Sequence, residues 1–552
     1  GARVHRGADG RRRRISADFS QEVFTLPAWA GEAGSISLII LKGSVFMNLK
    51  RYSVLCAVLA SGLLFCGAAA AVPEDTITVG MAADAKSLDP QMTNDTTSST
   101  YMIQMYEPLI EINKDKELVP CLAENWKKLD DLTYEITLRK GVKFHNGAEV
   151  TADDAVFTLN RMTTPAAAAV KSYGANIDAS GLKVIDRYTF QVKATSPMAG
   201  FLSYLTHSSA YILCKAAVEA AGEDYAKHPI GTGPFKFVEK LKGDHVSYER
   251  FEDYWGDKAR YGKLLMRTIP EATSRVIELE TGNIDIAYGI PNNDFKRLQD
   301  EGKVAVYNKP GLSITYMGFN TQTPPFDNPK VRKAITIAID REGALDVVYK
   351  GLGRVPTSPL IPVNSYFPDP VPVEYDPDKA EKMLEEAGIK NLEFTIYTNE
   401  NKQRKDYAEV IQAMLGDLGI TVKIQVLEWG TFLEQLKGGK LPVFMIGWAA
   451  DNINPDPDAY IKAAMHSKFA GPSNRVWLKD DLVDELLDKG TVTPDGPERA
   501  EIYRKFCDRV NELNPWCYLA IADTLYGANK NLKGVENFYR GSINRLDRVH
   551  YE

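Results

Sequence analysis

Apolar positions in this chain fall in two rhythms, a period of two in short runs and a period near 3.6 in longer ones, and the two alternate along most of its length. The run Thr76–Met81 places Ile77 and Val79 between polar neighbours and predicts a strand. A turn through Ser87, Leu88, Asp89 and Pro90 leads to a helix from about Ser98 to Tyr106. Tyr134, Ile136 and Leu138 alternate as a half-buried strand. Asn146 and Gly147 then turn the chain, and Thr151 caps a helix whose Ala155, Val156 and Leu159 face inward. Asp153 and Asp154 fall in that helix's first turn, where they complement its dipole. Val276, Ile277 and Leu279 have helical spacing, with Gly282 as the stop.

From about Gly311 a second round of strands and helices begins. Strands are expected at Ser313–Phe319, Phe394–Tyr397, Val422–Leu427 and near Leu519–Ala522. Helices are expected at Val331–Asp340, Asp376–Ala387 and roughly Tyr407–Leu418. Such alternation predicts an α/β lobe with its own sheet.

With 552 residues, 44% hydrophobic and 25% charged, the composition is that of a globular protein long enough for two or more cores. Residues 1–46 depart from it. They carry an Arg11–Arg14 run without periodicity and read as translated upstream sequence, with a basic nucleic-acid-binding arm as the alternative. After Met47, Lys50 and Arg51 precede an apolar run from Val54 to Phe65, and Ala69–Ala71 follow. This is the order of a secretory signal peptide over residues 47–71, cleaved near Ala71. Phe65 before Cys66 argues against a lipid anchor, which requires a small residue there. Removing residues 1–71 takes nine of the chain's 66 basic and four of its 73 acidic side chains, which leaves a formal charge of −12. That balance disfavours nucleic acid and anionic membrane surfaces as partners. Beyond Ala71 remain Cys121, Cys214, Cys507 and Cys517, none in a C-x-x-C pair. Export permits disulfides, and Cys507 with Cys517 is the expected pair.

The stretch Phe444–Tyr460, FMIGWAADNINPDPDAY, runs an apolar strand into a cluster of acids. Phe444, Met445 and Ile446 predict a buried strand, Gly447 and Trp448 its end, and Asp451 is the first charge beyond it. Asn452, Asn454, Asp456 and Asp458 alternate as calcium ligands often do, but Pro455 and Pro457 occupy the loop and the Gly and Glu of an EF-hand are missing. Asp456 and Asp458 read as solvated loop acids. Gly231 and Gly233 lack the Lys of a phosphate loop, and Pro234 removes an N–H; they read as a tight turn. There is no H-E-x-x-H, no G-x-S-x-G and no histidine pair at metal spacing, so the expectation is a binding protein without catalysis, cofactor or metal.

The run Leu122–Met162, LAENWKKLDDLTYEITLRKGVKFHNGAEVTADDAVFTLNRM, resembles the signature of extracellular solute-binding proteins of dipeptide, oligopeptide and nickel ABC importers. Pro229–Phe235 (PIGTGPF), Tyr254–Gly256 (YWG), Arg275–Ala287 (RVIELETGNIDIA), Pro325–Asp340 (PFDNPKVRKAITIAID) and Asp376–Gly388 (DPDKAEKMLEEAG) follow in that family's order, and Phe444–Tyr460 also fits. The resemblance implies an α/β, two-lobed periplasmic binding protein fold of the large peptide-binding class. Lobe I would comprise 72–309 plus 525–552, with an extra subdomain at about 97–225, and lobe II would comprise 310–524, joined by a two-stranded hinge. It implies a monomer that encloses a short peptide and delivers it to ABC permease subunits in the inner membrane. The alternatives are a nickel chelate, heme, oligosaccharide or opine in the same fold, or a chemoreceptor-coupled or chaperone-like protein.

The resemblance also assigns residues. Asp451 would accept the ligand ammonium, Trp429 of the Glu428–Trp429–Gly430 element would form an apolar wall, and Gly447, Trp448 and Ala449 would offer backbone groups. The Arg that relatives place upstream of the Glu-Trp pair falls here at about Thr398, so Arg404, with Lys402 and Lys405 close by, is the candidate for the ligand carboxylate.

Overall fold

The computed structural model describes residues 75–552, except 370, 451–455, 540 and 542. The expected upstream segment and signal peptide therefore lie outside the described residues, as does Asp451. Two large sheets organise the rest. The first has seven strands, in the order 304–309, 524–529, 286–288, 76–81, 263–268, 245–250 and 235–241. Thr76–Met81 lies parallel to Lys263–Thr268, and Ile77 and Val79 sit in the core as their alternation requires. The second sheet has six strands, in the order 353–354, 516–522, 313–319, 443–449, 393–398 and 421–426. The chain crosses between the sheets twice. Val304–Lys309 belongs to the first and Ser313–Phe319 to the second, while Trp516–Ala522 belongs to the second and Thr524–Asn529 to the first. We call the bodies around these sheets lobe I and lobe II.

A third, four-stranded sheet (123–128, 133–138, 189–193, 183–184) packs against the Ala152–Met162 helix around a core of its own. That helix is capped as its sequence requires: the Asp154 carboxylate accepts from the Thr151 N–H at 3.0 Å and from its hydroxyl at 2.9 Å.

The second sheet separates two apolar layers. Residues of Trp516–Ala522 alternate between them, so Trp516 and Tyr518 join one cluster while Cys517 and Leu519 join the other. The expected Cys507–Cys517 disulfide is corrected by this geometry. Cys507, on the Pro497–Leu513 helix, packs in the cluster that Cys517 faces away from, and both are free and buried. Burial pushes the Cys507 thiol up to about 12.

Candidate functional site

The strand expected to stop at Ile446 runs from Val443 to Ala449. Gly447 and Trp448 do not end it, because Ser313–Phe319 pairs with it throughout: Thr315 opposes Gly447, and Ser313 opposes Ala449. Its other edge differs. Glu393–Thr398 pairs with it only at Val443 and Phe444, so from Ile446 to Ala449 one backbone edge has no strand partner among the described residues. This free edge lines a cleft of about 840 Å³ between the two lobes, a volume within the usual range of ligand sites.

Trp448 is fixed by a reciprocal pair of hydrogen bonds. Its indole N–H donates to the Tyr460 carbonyl at 2.8 Å, and the Tyr460 hydroxyl donates to the Trp448 carbonyl at 3.2 Å. Trp429 stands at the start of the Trp429–Lys437 helix, whose cap is Glu428: its carboxylate accepts from the N–H groups of Gly430 and Thr431. Glu428 is thus a capping residue, and Trp429, 41% exposed, projects into the cleft.

Arg404 lies in the first turn of a helix that begins at Lys402, earlier than the apolar spacing suggested, because the Asn401 side chain caps it by accepting the Arg404 N–H at 3.0 Å. Its guanidinium donates to the Asn399 side chain at 2.9 Å and lies 5.9 Å from the Trp429 ring centroid. It also reaches Gly447, where a Cβ would lie 3.3 Å from the Arg404 Nη2. A larger residue at 447 would crowd that arginine away from the strand edge. Burial lowers the pKa of Arg404, and the nearby Arg475 adds to the effect. Arg404 has no acidic partner among the described residues.

The structure therefore brings together Trp429, Gly447, Trp448 and Ala449 as cleft lining and Arg404 directly behind them. Sequence reasoning missed the opposite wall. Tyr173 and His207 stack with centroids 3.8 Å apart and interplanar angle 12°, and Asn176, Met198 and Tyr204 join them. His207 Nδ1 accepts the Ser209 N–H at 3.1 Å, and burial drives its pKa down to about 3, so the ring is neutral. Arg475 was also missed; it lines the cleft from the loop after Asn474. No local signal marks these residues, because the cleft is assembled from segments far apart in the chain.

Asp456 and Asp458 require a second correction, since neither is a solvated loop acid. Asp456 caps the Pro457–Met465 helix through the Asp458 N–H, and its two oxygens accept from Arg499 Nη2 at 2.9 and 3.0 Å. Both side chains of that pair are almost fully buried. Burial still raises the Asp456 pKa to about 6. Asp458 accepts from the Thr491 hydroxyl at 2.6 Å and lies 3.8 Å from Lys462. Among the described residues no group could hold a metal ion.

These acids sit where the lobes touch. The Ala199 N–H donates to the Thr491 carbonyl across the interface at 2.8 Å, and Gly200 packs on Asp456 so closely that a Cβ would lie 1.7 Å from Oδ2. Lys116 of lobe I reaches the Asn364 carbonyl of lobe II at 3.2 Å.

Two sheet-centred lobes, two chain crossings and a cleft lined from both sides define a two-lobed solute-binding protein of the large, peptide-binding class. The chain belongs to the family described as bacterial extracellular solute-binding proteins, family 5, which it matches over residues 117–471. It is 30% identical over 518 residues to the dipeptide-binding protein of Escherichia coli K12, covering 88% of this chain and 95% of that one. It is 29% identical over 459 residues to the glutathione-binding protein GsiB of Pectobacterium atrosepticum, covering 81% of this chain and 89% of that one. Among solved structures it is similar to the periplasmic binding protein DppA of Helicobacter pylori in complex with the peptide STSA. The TM-score is 0.72 at 31% identity, with 86% of this chain and 98% of that one covered.

Proposed function

We propose that this protein is a periplasmic receptor that encloses a short peptide in the interlobe cleft and hands it to the permease of an ABC importer, without chemistry on the ligand. The observation that carries the reading is the free backbone edge at Ile446–Ala449. An extended peptide main chain pairs with such an edge as an added strand, which gives affinity without demanding particular side chains. The aromatic residues on both walls, Trp429 and Trp448 facing Tyr173 and His207, suit varied ligand side chains.

In this reading Asp451, two residues beyond the strand, accepts from the ligand ammonium, and Arg404 donates to a carboxylate. Enclosure makes both pairings necessary, because a buried unpaired charge costs about 3–5 kcal/mol. Ligand drives closure by binding the closed lobes better than the open ones. Export through a signal peptide, a monomeric state and docking on inner-membrane permease subunits complete the proposal. Calorimetry with a dipeptide or tripeptide and its N-acetylated form tests it. Acetylation, like Asp451→Ala, should weaken binding by about two to three decades. Equal affinities for the free and acetylated peptide reject the ammonium anchor.

A further inference from the structure

Two buried arginines of lobe II that lie away from the cleft, Arg499 and Arg332, are well supplied with partners. Arg499 is held by Asp456 and Asp495, and Arg332 donates to the carbonyls of Phe326, Asp327 and Leu513. Arg404 and Arg475 are not. Arg404 donates only to the neutral Asn399, and Arg475, half-buried in the cleft wall, has no hydrogen-bond or ion-pair partner among the described residues. The acid on that wall, Asp458, is already engaged by Thr491 and Lys462. Both guanidinium groups act on the Tyr316 hydroxyl, and Arg475 disfavours the charge on Arg404. Two part-buried cations with no acidic partner among the described residues form an arrangement completed by anions from outside.

We propose that the cleft selects peptides carrying two carboxylates at one end. Arg404 takes the terminal carboxylate, and Arg475 takes an acidic side chain on the last or penultimate residue. The proposal rests on the peptide reading above and narrows its substrate class. Guanidinium suits the role, because its planar fork matches a carboxylate and its charge persists at any working pH.

The test is calorimetry of the full mature protein with Ala-Glu against Ala-Gln, Ala-Ala-Glu against Ala-Ala-Gln, and Ala-Glu-Ala against Ala-Gln-Ala, repeated on Arg475→Gln. In at least one pair the glutamate peptide should bind about tenfold tighter or more, as a charge-assisted contact provides. Arg475→Gln should remove that difference. An unaltered melting temperature shows that the variant is folded. Equal affinities within every pair overturn the proposal, as does a glutamate preference that survives the substitution. Equal affinities that fall together in Arg475→Gln mean that both arginines grip one terminal carboxylate, which also overturns it. Binding of no peptide at all, acidic or neutral, defeats the peptide reading itself and so is distinguishable from failure of the acidic preference alone.

Discussion

Gly200→Ala isolates lobe closure from everything else in the molecule. Gly200 has φ −82° and ψ 13°, which alanine adopts without strain, so nothing in the local backbone resists the change. The added methyl carbon would lie 1.7 Å from Asp456 Oδ2 and 2.4 Å from its Cγ, an overlap that something must relieve. Asp456 cannot swing aside cheaply. One oxygen holds the Asp458 N–H, and both accept from Arg499 in a nearly dry site. Displacing the carboxylate approaches the cost of breaking a buried ion pair, about 3–5 kcal/mol. With the lobes apart the methyl meets no part of Asp456, so the whole cost falls on the closed state. In the proposed function closure captures the ligand, so affinity should fall by about two to three decades. The melting temperature of the ligand-free protein should stay within the range of a neutral surface change, about 0.5 kcal/mol. Calorimetric titration and thermal melts of the two proteins provide the comparison. An affinity within threefold of wild type, or a loss of ligand-free stability as large as the loss of binding, would refute the reasoning.

Three further outcomes are expected. His207 is buried and His145 half-buried, and desolvation lowers their pKa values to about 3 and about 4, so both rings are neutral. Between those values and the unfolded value near 6.5 the unfolded chain binds more protons. Stability should therefore be full above about pH 6.5 and fall as pH drops, by up to about 1.4 kcal/mol per pH unit for each histidine; His207→Gln should flatten the urea-midpoint profile, and an unchanged profile would refute this. Cys121, Cys214, Cys507 and Cys517 should all react with a thiol reagent after denaturation and not before. A reductant should leave the melting temperature unchanged, and a shift of several degrees would reveal a disulfide. Gly447→Val should crowd Arg404 and fill the strand edge, weakening peptide binding by about tenfold or more in calorimetry while the fold persists by circular dichroism; unchanged affinity would remove this edge from the site.

What the sequence revealed and what it concealed have physical reasons. Strands with one buried face were legible because alternation is local. Ser313–Phe319 has the expected limits, and Thr133–Leu138 buries Tyr134, Ile136 and Leu138. The end of Val443–Ala449 was misjudged because a glycine followed by a tryptophan resembles a breaker. What sustains the strand is pairing with Thr315 and Ser313, well over a hundred residues earlier. The role of Asp456 was hidden for the same reason. Its cap could have been read from the Asp-Pro-Asp spacing, with proline in the first turn, but not its partner Arg499 on another helix. Half of the cleft was legible because its residues cluster around one strand and carry the family resemblance. The wall of Tyr173 and His207 was not, since those residues lie more than two hundred residues from the strand in sequence and share the cleft with it only in the folded molecule.

The most direct measurement of the central claim is native mass spectrometry of the protein exported to the periplasm and purified without denaturation. The account predicts a bound species with the mass and fragmentation pattern of a short peptide, released when the protein is unfolded. A retained heme, nickel chelate, oligosaccharide or opine in its place would contradict the peptide reading while leaving the fold and the cleft intact.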